Sequence, residues 1–128
     1  MLLADKDAIA TIAVKDVDAA KRFYEGTLGL KPDPGHQEPG VVTYKSGKAE
    51  VMVYQSNYAG TNKATTATWS VGDNLLPLVQ QLKSKGVAFE HYNNLPGLRL
   101  EGDVHTDGKM KVVWLKDPDG NILSLVGR

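Results

Sequence analysis

The chain says nearly the same thing twice. An apolar segment ending in valine, then an acidic or amide helix cap, then a glycine thirteen residues beyond Asp16 or Asp73, runs from Ile9 to Gly29 and again from Thr66 to Gly86. The interval from Val14 to Val71 equals that from Gly29 to Gly86, 57 residues in each case. A duplicated unit of this size closes a cleft between its copies, so the repeat marks where a ligand would sit. With 128 residues, 41% of them hydrophobic, the chain can build one cored domain but not two independent ones.

Other classes of function are excluded by composition. Lys plus Arg equals Asp plus Glu at 15 each, with no run of like charge, which argues against a nucleic-acid or membrane surface. There is no cysteine, hence no disulfide frame and no thiolate site. The first residues, Met1-Leu2-Leu3-Ala4-Asp5-Lys6-Asp7, lack the basic and apolar regions of a signal peptide, and no run approaches membrane-spanning length. The expectation is a soluble, cytoplasmic protein. No glycine loop cradles phosphate and no serine sits in a nucleophile elbow. Asp117-Pro118-Asp119-Gly120-Asn121 reads as a turn, since a calcium loop needs a downstream carboxylate.

Periodicity predicts the elements. Ala8–Val14 reads as a buried strand, followed by a helix capped by Asp16, with Val17, Ala20, Phe23, Tyr24 and Leu28 as its buried stripe and Gly29 as its stop. A strand starts at Leu30–Pro32, a breaker-rich loop covers residues 33–40, and Val41–Tyr44 and Glu50–Tyr54 flank a Ser46-Gly47-Lys48 hairpin. After a polar linker, Thr66–Val71 repeats the first strand. Asn74 caps a second helix and places Pro77 in its first turn, where no intrahelical N–H is needed. Strands follow at Val87–His91, Met110–Leu115 and Asn121–Val126, with residues 96–108 as a loop. The prediction is a single α+β domain of two βαβββ modules, about residues 8–55 and 66–127, joined by a linker of about residues 56–65.

The stretch VKDVDAAKRFYEGTLGL and the terminal VVWLKDPDGNILSLVG resemble the vicinal oxygen chelate superfamily, the glyoxalase, bleomycin-resistance and extradiol-dioxygenase group. The likeness covers essentially the whole chain. It implies curved sheets forming a half-open barrel around a cavity, and commonly a homodimer. In the metal-using branches a His or Gln opens the first strand of each module and a Glu stands on a last strand. The matching positions here are Ile9, Thr66, Ser124 and Met52, which depart from that pattern because they lack the imidazole and carboxylate donors a divalent ion needs.

Strand alternation assigns those positions another role. It turns Ile9, Thr11, Thr66 and Thr68 toward the cavity, along with Met52 and Tyr54, Met110 and Trp114, and Ser124. Such a lining, apolar with two aromatic walls and several hydroxyls, suits a small organic ligand, unless the side chains simply fill the barrel. His105 lies in the segment 102–108 with Asp103 and Asp107, either a solvated polar loop or a loose metal site over the cavity mouth. His36 and His91 take surface or structural roles. Glu50 is the one carboxylate aimed inward, as a base or as a rim residue paired with Lys48 or Lys111. The favoured reading is a homodimeric protein that binds a small, partly aromatic molecule without cofactor or metal and touches neither nucleic acid nor membrane. The alternatives are a metal-dependent lyase, isomerase or dioxygenase with unorthodox ligands, and a structural or regulatory partner of another protein.

Overall fold

The computed structural model describes residues 2–128, apart from the side chains of residues 36 and 37. The repeat appears as two sheets. In the first, β1 (Ala10–Val14), β2 (Lys31–Glu38), β3 (Val41–Ser46) and β4 (Ala49–Gln55) lie in the order β1-β4-β3-β2. In the second, β5 (Thr65–Gly72), β6 (Arg99–Glu101), β7 (Val104–Thr106), β8 (Lys111–Lys116) and β9 (Ile122–Gly127) lie in the order β5-β9-β8-β7-β6. In each, the opening strand pairs in parallel with the closing one, Thr11 opposite Met52 and Thr68 opposite Ser124. A parallel pair needs a crossover, and α1 (Val17–Lys21) and α2 (Leu75–Ser84) supply it. The architecture is the duplicated α+β fold expected, two open sheets meeting where β1 runs beside β5.

Local chemistry explains the helices. Asp16 is extended at the cap of α1, and its Oδ1 accepts from the backbone N–H of Asp18 at 2.9 Å and of Ala19 at 3.3 Å. The helix then widens into a π-helical turn over Arg22–Thr27, and Gly29 leaves it with φ 77°. Ala20 and Tyr24 are buried while Val17, Phe23 and Leu28 pack against the core. In α2, Asn74 occupies the cap position without a side-chain capping bond, and Val79 is buried where Leu78 is only half so.

Three expectations need correction. Residues 33–40 do not form an irregular loop: β2 runs through to Glu38. Because β2 is an edge strand, Pro32 and Pro34 remove no ladder bond from a neighbour on both sides, and the register slips between Pro32 and Gln37 instead. Residues 87–91 are not a strand. The flank of β8 is already taken by β7 as far as Val112, so beyond it only a single bridge forms between Phe89 and Leu115, with the Glu90 N–H donating to the Trp114 carbonyl at 2.8 Å. Residues 96–108 are not a loop, since Gly102 and Asp103 turn a hairpin between β6 and β7. His105 therefore lies inside a strand, buried with Val104 and Thr106.

The turn after β8 joins the modules. The Asp117 side chain, 5% exposed, accepts from the Tyr24 hydroxyl at 2.7 Å, the Asn121 amide side chain at 2.8 Å, and the backbone N–H groups of Asn121 and Asp119 at 2.8 and 2.9 Å. Burial and the adjacent carboxylate push the Tyr24 phenol far above its ordinary range, so it remains a donor. Asn121 also donates to the Ala13 carbonyl at 2.7 Å, and Asp119 accepts from the Lys15 N–H at 3.1 Å. The linker passes so closely that a Cβ on Gly60 would collide with the Asp119 carbonyl oxygen.

Removing the Asp117 carboxylate leaves the Tyr24 hydroxyl and the Asn121 backbone N–H as buried donors that have lost their acceptor, and costs the Asn121 side-chain amide one of its two acceptors. Asp117→Ala is expected to lower stability by about 3 kcal/mol or more, and Tyr24→Phe by about 1–2 kcal/mol because Asp117 then keeps its other donors. Urea denaturation checks both, and two variants indistinguishable from the parent protein would refute the latch.

Candidate functional site

Within the second sheet, alternation separates two faces. Val113, Leu115 and Leu123 are almost fully buried against the helix side, so Val112, Trp114 and Ser124 belong to the helix-free face. There a cleft of about 690 Å³ opens, with Trp114 and Ile122 from the sheet, Glu90, Tyr92 and Leu95 from the segment after α2, and Asn62, Lys63 and Thr65 from the linker side.

Its aromatic walls are held rigidly. The Trp114 indole N–H donates to Thr65 Oγ1 at 3.1 Å, and the ring meets Tyr92 edge-on with centroids 5.3 Å apart. His105 lies against both rings, 4.9 Å from Trp114 and 5.8 Å from Tyr92. It is 1% exposed, and its Nε2 accepts from the Tyr92 backbone N–H at 2.9 Å. That bond assigns the neutral tautomer with the proton on Nδ1, which is buried and has no partner among the described residues. Burial, reinforced by nearby Glu90, raises the Tyr92 phenol, so it presents a neutral hydroxyl. Glu90 pairs with Lys116 at 3.5 Å at the rim.

The other residues singled out from the sequence are spread over both helix-free faces. Thr68 and Ser124 are adjacent, their hydroxyls 2.6 Å apart, with Ser124 opposite Trp114 and Thr66 half-buried further along β5. Thr11 and Ala13 lie opposite Met52 and Tyr54 on the first sheet, and the Thr11 hydroxyl donates to the Ile9 carbonyl at 3.1 Å. Ile9 borders a separate hollow of about 380 Å³ shared with Lys48 and Glu50. Met110, just before β8, is 39% exposed, and its carbonyl accepts from Thr106. The side chain of His36 lies outside the described residues.

Sequence reasoning missed Tyr92, Glu90, Leu95 and Lys63. Glu90 lies in the segment 87–91, which reads as a strand that does not form. Tyr92 and Leu95 follow it and Lys63 stands in the linker, where no period orients them, whereas Lys116 could have been found by extending the alternation of Val112 and Trp114.

The positions matching the metal-using pattern do not fit a divalent ion. Ile9 offers an alkyl group and Met52 a thioether, while the Ser124 hydroxyl is already engaged by Thr68. Nor do Asp103, His105 and Asp107 converge. Asp103 pairs with Lys83 and His91, each at 2.8 Å, and Asp107 accepts from the Lys109 and Met110 N–H groups. Among the described residues no three His, Asp or Glu side chains gather at one point. No helix among them is long and apolar enough to cross a membrane.

This duplicated fold with a cleft on its helix-free face defines a known class. Residues 7–125 match the model of the Glyoxalase/Bleomycin resistance protein/Dioxygenase superfamily, and the chain belongs to that family. No curated protein sequence matches it. Solved structures share the fold at low identity. A glyoxalase/bleomycin resistance protein/dioxygenase from Alicyclobacillus acidocaldarius is 20% identical with a TM-score of 0.71, over 99% of this chain and 94% of the other. TnmS3, an antibiotic binding protein from Streptomyces sp. CB03234, is 17% identical with a TM-score of 0.69, over 99% and 98%. The fosfomycin resistance protein FosX from Listeria monocytogenes, complexed with Mn(II) and sulfate, is 11% identical with a TM-score of 0.70, over 98% and 91%.

The hydrogen bonds from Lys83 and His91 hold the Asp103 carboxyl below its ordinary value of 3.8. A depressed native value means that this contribution to stability is present above the unfolded value and is lost as pH falls through the lowered native one. Asp103→Asn is therefore expected to flatten the loss of stability on acidification below about pH 4, while costing only about 0.5–1 kcal/mol at neutral pH because its partners are half-exposed. Denaturation midpoints measured from pH 7 to pH 2.5 check this, and parallel curves for the two proteins would refute it.

Proposed function

We propose that this protein binds a small, planar, partly aromatic organic molecule in the Trp114–Tyr92 cleft and sequesters it, without a metal and without transforming it. The observation that carries this reading is the braced aromatic pair. Trp114 and Tyr92 meet edge-on, and His105 fixes both from behind, so the rings are set for stacking before a ligand arrives. Lys63 and Lys116 line the same cleft against one Glu90, which favours a ligand bearing an anionic substituent. The Glu90–Lys116 ion pair is the nearest thing to an acid–base pair, and it sits at the rim with Lys116 exposed, which suits holding a ligand more than moving its protons. An antibiotic-binding protein of the same fold supports sequestration as a use of this frame.

The helix-free faces also suit self-association. Ile9, Tyr54 and Met110 are 43%, 37% and 39% exposed there, and a second copy of the chain would cover them. The proposed state is a homodimer.

Calorimetric titration with a panel of bicyclic aromatic acids and their neutral amides tests the reading. Saturable binding is expected to favour the acids, and Trp114→Ala to weaken it at least tenfold, about 1.4 kcal/mol. Sedimentation at micromolar concentration should report a dimer. A stoichiometric divalent ion retained after metal loading, at a site that turns over one of these compounds, would replace this reading with that of a metal-dependent enzyme.

A further inference from the structure

A second cavity lies on the helix-bearing side of the sheets, and its chemistry differs from that of the Trp114 cleft. It holds about 190 Å³, buried at its base and partly open to solvent at its mouth. Its base is formed by Leu115 and Leu123, 1% and 0% exposed, so it reaches into the core. Leu82 of α2 walls one side, and Leu28, where the chain leaves the π-helical turn, walls another. Trp69 closes the third, and Ser46, from the end of β3, is the one polar side chain present.

That serine is already engaged. The Trp69 indole N–H donates to Ser46 Oγ at 2.8 Å, which leaves the hydroxyl proton and one lone pair as the polar capacity of that side chain. A water held at the base, against Leu115 and Leu123, needs two to four polar partners and finds apolar walls instead. A dry cavity of comparable size, about 150 Å³ and lined by aliphatic and aromatic side chains, is large enough to take benzene or xenon. A close-fitting apolar guest gives the leucine walls dispersion contacts and removes their apolar surface from water.

We propose that this chamber is a binding site for small apolar molecules, of the size of a monocyclic aromatic hydrocarbon or the end of an alkyl chain. Leu28 and Ser46 come from the first module, Trp69, Leu82, Leu115 and Leu123 from the second. A guest therefore touches both and tightens the seam between them. The site is separate from the Trp114 cleft and does not depend on what that cleft binds.

The full chain is titrated with benzene and, separately, equilibrated with xenon under pressure, while leucine methyl resonances and the melting temperature are followed. The expected result is a saturable rise in melting temperature with benzene, and shifts from either guest concentrated at the methyls of Leu82, Leu115 and Leu123. Val71 of β5 also lines the pocket, so Val71→Phe, which places a ring there, should weaken benzene binding at least tenfold, and Trp114→Ala should leave it within twofold. Xenon on the unmodified protein gives the result even if Val71→Phe does not fold. Absence of saturable methyl shifts with both guests overturns the proposal. So does benzene binding that survives Val71→Phe and disappears in Trp114→Ala.

Discussion

A carboxylate shut away from water is expensive unless its oxygens are fully used, and the whole arrangement of this protein turns on one that is. Asp117 gathers four donors from three directions: the helix of the first module through Tyr24, its own turn through the Asp119 and Asn121 backbones, and the Asn121 side chain. Since Asn121 and Asp119 then hold the end of β1, the turn that closes the second sheet also locates the first. The linker threads past at Gly60 with no room for a side chain. Two copies of a module thereby become one body with a defined seam, and both cavities described above inherit their shape from it.

The parts legible in the sequence were those with a period or a cap. Asp16, the stripe through Ala20 and Tyr24, and Gly29 could be read because helix boundaries follow from local hydrogen bonding and backbone freedom. The Ser46-Gly47-Lys48 hairpin was visible for the same reason. What failed was decided by neighbours far along the chain. The prolines of β2 break a central strand but not an edge, and nothing local tells a reader which strand is the edge. Phe89 and Glu90 look like a strand, but β7 takes the flank of β8 as far as Val112, and beyond it they form a single bridge to Leu115. The DPDGN stretch was legible as a turn, while its role as a latch was not, because its partners Tyr24 and Ala13 lie about ninety or more residues away.

The candidate site shows the same division. Trp114 was visible from alternation along β8, but its partners Tyr92 and Glu90 stand on an aperiodic segment that only tertiary structure can place. His105 was conspicuous as a residue and misleading as a loop residue. Inside β7, with its Nε2 accepting from Tyr92, it shapes the cleft by contact with the rings. The two modules give equivalent frames, but the braced cluster of Trp114, Tyr92 and His105 stands in the second, whereas the helix-free face of the first bears the exposed Tyr54.

The outermost strands carry a further consequence. β2 bears Pro32 and Pro34, and β6, at the far side of the other sheet, is three residues long with Arg99 and Glu101 in it. Neither offers a continuous row of free backbone donors, so chains cannot be stitched rim to rim into growing ribbons. The inner margins, β1 and β5, lie beside each other at the seam without pairing into one sheet. Edge-to-edge growth into amyloid-like ribbons is thereby disfavoured at both outer rims, even where the protein is concentrated.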